Sequence, residues 1–247
     1  MGRIKRIIGA MLVVAVMASF VGCGGGGLFA NAYLVRGEEV TADEWIEAFD
    51  FSDFDNFSVY MTNESEDEDG AFQTETTYKF ADGNVHVQAK AFARDEDETE
   101  ETEELEAYYI RSTEYNGLCY VYAYDSESGE WECYTEINGD SYNILNRLVK
   151  SWTSKFADSY DEMEYSGYYK GYVYKKDDDD DDDIIDKSET VVKIADGRFI
   201  AMHKDELYEN KKKETKETSR ESLCIFDIGS TSITLPDDLK ELTPQDR

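Results

Sequence analysis

The feature that most limits what this chain can fold into is a two-residue alternation of apolar and polar side chains, broken at short intervals by Asp-Gly turns. Phe57, Val59 and Met61 alternate with Ser58, Tyr60 and Thr62, and Val85, Val87, Ala89 and Ala91 keep the same period. Successive side chains of a strand point to opposite faces, so such a pattern buries one face of a sheet and leaves the other in water. Tyr78 and Phe80 lead through Ala81-Asp82-Gly83 into the second of these runs, and Val191 to Ile194 leads through Ala195-Asp196-Gly197 into Phe199 to Met202. Asp-Gly between alternating runs is a strong hairpin signal, because both central residues of the favoured turn need positive φ. Further strands are expected at Ala107 to Arg111, Leu118 to Tyr124, Trp131 to Ile137, Tyr165 to Tyr174, Leu223 to Ile228 and Thr231 to Leu235.

Two segments follow a helical period instead. Thr41-Ala42-Asp43-Glu44 has the form of a capping box, and Trp45, Ile46, Ala48 and Phe49 then form an apolar face, predicting a short helix from Ala42 to Phe49. After Asn138-Gly139, Leu145, Leu148, Val149, Trp152 and Phe156 share one helical face, with Asp140 or Ser141 as cap. The order is therefore helix, about six strands, helix, about five strands. Short connections make neighbours in sequence pair in space, so one broad antiparallel sheet with helices over one face is expected. The residues from Asp237 onward read as a frayed tail.

The N-terminus carries a different message. Arg3, Lys5 and Arg6 precede an apolar run from Ile7 to Val21, too short and wrongly flanked for a stable membrane span. Gly22-Cys23 ends that run, and Gly24 to Gly27 supply a flexible tether. A small residue directly before a cysteine resembles the lipobox of bacterial lipoproteins, although Phe20 and Val21 replace the usual Leu and Ala or Ser. The resemblance implies that residues 1–22 are a removed signal, that Cys23 takes a diacylglycerol, and that residues 23–37 tether a domain spanning 38–236, followed by a tail at 237–247. An ordinary signal peptide or a lone N-terminal membrane helix is the competing reading. The place of Cys23 at the end of the apolar run favours the lipoprotein.

Charge narrows the partners. The formal net charge is −31; the leader holds three basic residues and no acid, so the chain from Cys23 onward carries −34. That excess opposes nucleic acid and anionic lipid surfaces. Strong acidity with few aromatics would mean disorder, but 18 Tyr and 12 Phe lie mostly in the alternating runs. The acids gather between those runs, at Asn63 to Gly70, Arg94 to Glu104, Asp125 to Glu130 and Asp177 to Asp183. Alternate connections of an antiparallel meander lie at the same end, so the first three should share a rim. The sequence leaves open whether the aspartate run of the second half joins them. Asp67, Asp69 and Gly70 match part of a calcium-loop pattern, but Ser65 and Thr76 occupy its first and twelfth places, so no metal site is expected, only nonspecific divalent-cation binding by a solvated rim.

Catalytic signals are sparse. His86 and His203, the two histidines, each fall in a strand with no nucleophile motif beside them, and no phosphate-binding loop occurs, so neither an enzyme nor a cofactor is expected. Cys119, Cys133 and Cys224 lack zinc-type spacing; Cys119 and Cys133 lie on the two arms of one hairpin and could bridge if the register allowed, or all three could be buried thiols.

Taken together, the lipobox tether, the capped helix bearing Trp45, the Ala-Asp-Gly hairpins, the middle helix and the final Ile233 to Pro236 resemble the LolA-like lipoproteins of Gram-positive bacteria, including the LppX-like ones. The resemblance implies an α+β, mainly antiparallel β fold: a half-barrel sheet of about eleven strands wrapped over helices, with an apolar concave pocket. It also implies a noncatalytic protein anchored on the extracytoplasmic face of the cell membrane and sheltering a lipid or other apolar ligand. Alternation places Val59, Met61, Phe80, Val87, Ala89 and Ile110 on the more apolar face as candidate lining residues. The alternative function is a protein-interaction or envelope-assembly module that uses the acidic loops and holds no ligand.

Overall fold

The computed structural model describes residues 36–51, 56–95, 100–115, 118–137, 144, 148, 156–178 and 183–244. Cys23 and its glycine tether, the central aspartates 179–182, and Leu145, Val149 and Trp152 of the expected middle helix lie outside these residues.

Eleven antiparallel strands form one open sheet in the order β6-β5-β4-β3-β2-β1-β11-β10-β9-β8-β7. In chain order they are β1 (Phe57–Asp67), β2 (Gly70–Ala81), β3 (Asn84–Asp95), β4 (Glu100–Arg111), β5 (Leu118–Asp125), β6 (Glu130–Ile137), β7 (Glu164–Ser166), β8 (Gly171–Asp178), β9 (Ile184–Ala195), β10 (Arg198–Asn210) and β11 (Thr215–Phe226). Each half is a meander of neighbours. The single non-sequential pairing, β1 with β11, joins the two halves at the centre through nine residue pairs from Ser58↔Phe226 to Glu66↔Thr218.

The Asp-Gly turns behave as their chemistry requires. Asp82 and Gly83 have φ of 53° and 80°, and Asp196 and Gly197 have 52° and 67°. Asp tolerates the left-handed region through its short polar side chain and Gly has no Cβ to clash, so both pairs close two-residue hairpins.

Several strand boundaries differ from the sequence reading. The segment Tyr165 to Tyr174 is two strands, β7 and β8, separated by a turn at 167–170, while Thr231 to Leu235 has no strand structure. These two departures cancel in the count. The acidic stretches Asn63–Asp67 and Glu100–Glu104 are strand rather than loop, as are 203–210 and 215–222. Acidic sequence is compatible with strand here because alternate charges on a strand point away from each other and find cross-strand partners.

The core lies on one face. Helix α1 (Ala42–Ala48) starts at the Thr41 capping box: Glu44 N–H donates to Thr41 Oγ1 at 3.4 Å, and Thr41 N–H donates to Glu44 Oε2 at 2.7 Å. Trp45, Ala48 and the C-cap Phe49 are buried, whereas Ile46, expected on the same face, is 61% exposed. Trp45 donates its indole N–H to the Phe156 carbonyl at 2.9 Å and packs edge-on against Tyr172 at 4.9 Å. The helical residues Ile144, Leu148 and Phe156 are buried in the same cluster, against Phe57, Phe80, Val121, Ile194, Phe199 and Leu223 of the sheet.

The opposite, outer face is covered at its lower end by the C-terminal strap. Thr231 shares a buried hydrogen bond with Ser58 at 3.0 Å, and Ile233, Leu235, the short 3-10 turn Leu239–Glu241 and Leu242 pack over Tyr108, Tyr122 and Cys133. Leu239 is 3% exposed, so the part of the expected tail from 237 to 244 is docked on the sheet.

Candidate functional site

Four of the six candidate lining residues come together. Val59, Met61, Phe80 and Val87 lie in the central core cluster, all at 6% exposure or less, beneath α1 and the helical residues 144, 148 and 156. Ala89 lies higher on the same face, in a smaller cluster with Ala91, Phe72, Ala93 and Leu105. Ile110 does not join them. It pairs with Tyr120 on β5 and packs with Tyr108 and Tyr122 on the outer face under the strap, because its neighbour Tyr109 takes the inward position in β4. The alternation was read one residue out of phase at that end of β4, where Tyr108, Tyr109 and Ile110 form an apolar run that hides the period.

The chain enters this body through a tyrosine clamp. Tyr165 donates to the Gly37 carbonyl at 3.0 Å, and Tyr160 and Tyr172 both donate to the Val40 carbonyl, at 3.0 and 2.7 Å. Gly37 N–H donates to Lys170 O at 2.8 Å, and Glu38 N–H to Ile194 O at 2.7 Å. A Cβ on Gly37 would stand 2.5 Å from the Lys170 carbonyl oxygen, so only glycine fits there. Gly37, expected as the last residue of the tether, is therefore pinned to the folded body, and the order of these tyrosines along the chain gave no hint of it.

Register settles where the acidic ends lie. Asp67 pairs with Gly70, Arg94 with Glu100, Asp125 with Glu130, Asp178 with Asp186 and Asn210 with Thr215. Since Glu66 faces Thr218 across the central pairing, all five hairpin ends occupy one end of the sheet, and both acidic sets share one rim. The clamp sits at the other end, beside the β7–β8 and β9–β10 turns. At the rim, Asp67 Oδ1 accepts from the Asp69 and Gly70 N–H groups at 2.9 and 3.2 Å, and Asp125 holds Glu127 N–H at 3.0 Å and the Ser128 hydroxyl at 2.7 Å. These carboxylates close their own turns. Among the described residues, no three His, Cys, Asp or Glu side chains converge as a metal set.

Below the rim the outer face carries a lattice of mixed charge. One row runs Lys175, Glu189, Asp205, Arg220, Glu64 and Gln73 across β8, β9, β10, β11, β1 and β2. Lys175 pairs with Glu189, and Arg220 bridges Asp205 at 2.8 Å and Glu64 at 2.5 Å. The Lys175 partner holds Glu189 below the usual carboxylate range.

His203 lies one row down, with Nδ1 2.5 Å from Ser222 Oγ and Nε2 2.9 Å from Asp205 Oδ2. The hydrogen bond from His203 and that from Arg220 depress the Asp205 carboxyl. This Ser-His-Asp string lacks the setting of a hydrolase. Ser222 is 5% exposed, and it lies mid-strand, paired with both His203 and Thr62, so the surrounding N–H groups belong to the ladder instead of an oxyanion hole. Its role is to satisfy buried polar atoms within the sheet.

His86 stacks on Tyr108 at 4.1 Å and hydrogen-bonds Glu106 at 2.8 Å. Burial pushes its pKa down against the pull of Glu106, and burial with Glu106 pushes Tyr108 up to about 12.

Among the described residues, Cys119, Cys133 and Cys224 are free thiols. Cys119 pairs with Glu136 and Cys133 with Tyr122, so their side chains leave the hairpin on opposite faces and the register forbids a bridge. Burial raises the Cys133 and Cys224 pKa values, which keeps them as unreactive thiols.

No family model, curated protein or solved structure matches this chain. Among the described residues, no helix is long and apolar enough to cross a membrane.

Proposed function

We propose that this is a noncatalytic lipoprotein of the LolA-like kind, anchored through Cys23 on the extracytoplasmic face of the membrane and sheltering an apolar ligand between the sheet and its helical cover. The observation that carries the reading is the join of two meanders into one eleven-stranded open sheet whose apolar face packs, among the described residues, against α1 and the helical residues Ile144, Leu148 and Phe156. That is the arrangement the family resemblance implies. The Gly37–Val40 clamp adds support, since a folded body entered through a pinned segment suits a domain held on a tether. The ligand would enter by displacing the cover from Val59, Met61, Phe80 and Val87.

A second reading, an interaction or assembly module with no ligand, is favoured by the tight packing of that same face, where Phe57, Val59 and Phe80 are at most 1% exposed. The acidic rim would then be its working surface.

Two measurements test the proposal. Cys23→Ala should move the protein from the membrane fraction to the soluble fraction, and the wild-type mature mass should include a diacylglycerol. A variant that stays on the membrane, with no lipid on the wild-type mass, ends the lipoprotein reading. Native mass spectrometry after gentle extraction addresses the ligand: a dissociable lipid supports shelter, and a ligand-free body supports the interaction module.

A further inference from the structure

Between the strap and the charged lattice, the outer face carries one row of a different character. Tyr60, Thr77, Gln88 and Glu106 are registered partners in turn across β1 to β4, Tyr124 and Trp131 are partners on β5 and β6, and the two sets meet just beyond the last β4–β5 pair, Ala107 with Ala123. They line a groove of about 450 Å³. Five strand spacings of about 4.8 Å make the row about 24 Å long, enough for several sugar rings in line. Trp131 and Tyr124, with ring centroids 5.6 Å apart, are both half-buried and close one end of the groove.

We propose that this row binds a short neutral oligosaccharide. The chemistry of the lining excludes the other ligand classes in turn. Glu75, Glu104 and Glu106 repel phosphates, nucleic acids and acidic lipids. A cationic ligand needs acceptors alone, yet the floor also presents the Gln88 amide, the Thr77 and tyrosine hydroxyls and the Lys90 ammonium. A lipid chain would strand those polar groups without partners. A sugar hydroxyl both donates and accepts, so a floor that mixes donors and acceptors suits it, while the C–H face of a pyranose suits the indole and phenol rings.

The floor is also pre-arranged. Gln88 Nε2 donates to Glu106 Oε1 at 3.1 Å, Tyr108 donates to the same oxygen at 3.1 Å, and His86 holds it at 2.8 Å. Lys90 is held against Glu104. Planar amide and carboxylate groups fixed by such neighbours lose little freedom when a ligand arrives. The strap covers the row beneath, at Tyr108, Tyr122 and Cys133, and so walls the lower side of the groove. The site lies on the opposite face from the core and stands or falls independently of the apolar-ligand reading.

The test titrates the mature domain with cellotetraose, chitotetraose and maltotetraose, followed by calorimetry and by saturation-transfer NMR. Saturable one-to-one binding of at least one of them is expected. Trp131→Ala should weaken it roughly tenfold or more, as the loss of one aromatic contact implies. Because Trp131 also packs on Tyr108 at 5.9 Å, Gln88→Ala, an exposed and conservative change, serves as a second variant and should weaken binding with an unchanged melting temperature. Absence of binding to all three at millimolar concentration overturns the proposal. So does binding that Gln88→Ala leaves intact, or preference for spermidine over every sugar.

Discussion

His86 shows how a single buried side chain ties this sheet to pH. Its ring lies flat on Tyr108, its Nε2 meets Glu106 at 2.8 Å, and Lys79 stands in the neighbouring position on β2. Burial is the largest influence on its pKa and lowers it from 6.5, with Lys79 adding to the fall and Glu106 opposing it. The unfolded chain therefore takes up more protons than the folded one just below that value. The contribution of His86 is fully present above about pH 6.5 and is lost as the pH falls through the lowered folded value. Urea midpoints measured at about pH 7.5 and about pH 5.5 should drop for the wild type. His86→Gln, which keeps a hydrogen-bonding group and removes the titration, should flatten that drop, and a variant with the wild-type slope would show that other groups carry it.

Among the elements, α1 depends most on tertiary contacts. Seven residues make too short a helix to persist alone, so its capping box sets where it begins and Trp45 sets that it stays. Trp45 is fully buried and its indole N–H serves the Phe156 carbonyl, so Trp45→Ala should cost roughly 3–5 kcal/mol by chemical denaturation. A cost below about 1 kcal/mol would mean that α1 is not part of the cooperative unit. The same elements show what the sequence made legible. The capping box and the Ala-Asp-Gly hairpins were readable because their signals are local: a side chain bonding three residues away, two residues needing positive φ. The acid-rich halves of β1, β4, β10 and β11 were not. Their strand structure rests on cross-strand partners such as Arg220 with Glu64, 156 residues apart, which no local period reveals. The groove row was equally hidden, since Tyr60 and Trp131 come to line one groove only through the successive pairings of six strands. Tyr124 and Trp131, seen alone, were ordinary members of alternating strands.

At the scale of the whole molecule, a formal net charge of −31 and the placement of five hairpin ends on one rim make self-repulsion the main electrostatic cost of folding. Calcium and magnesium should raise the melting temperature modestly, and sodium chloride at matched ionic strength should recover most of the gain, because no converging oxygen set is present among the described residues. Saturable, stoichiometric calcium binding that persists in high salt would contradict this. The central claim is that the helical cover can leave the apolar face while the sheet stays intact. Native-state hydrogen exchange reads this directly, since it separates local opening from global unfolding. The amides of α1 should exchange through an opening of lower free energy than those of β1 and β11, and a bound lipid should protect them. Exchange of α1, β1 and β11 with one common free energy, unaltered by lipid, would contradict a sheltering function and leave the ligand-free interaction module in its place.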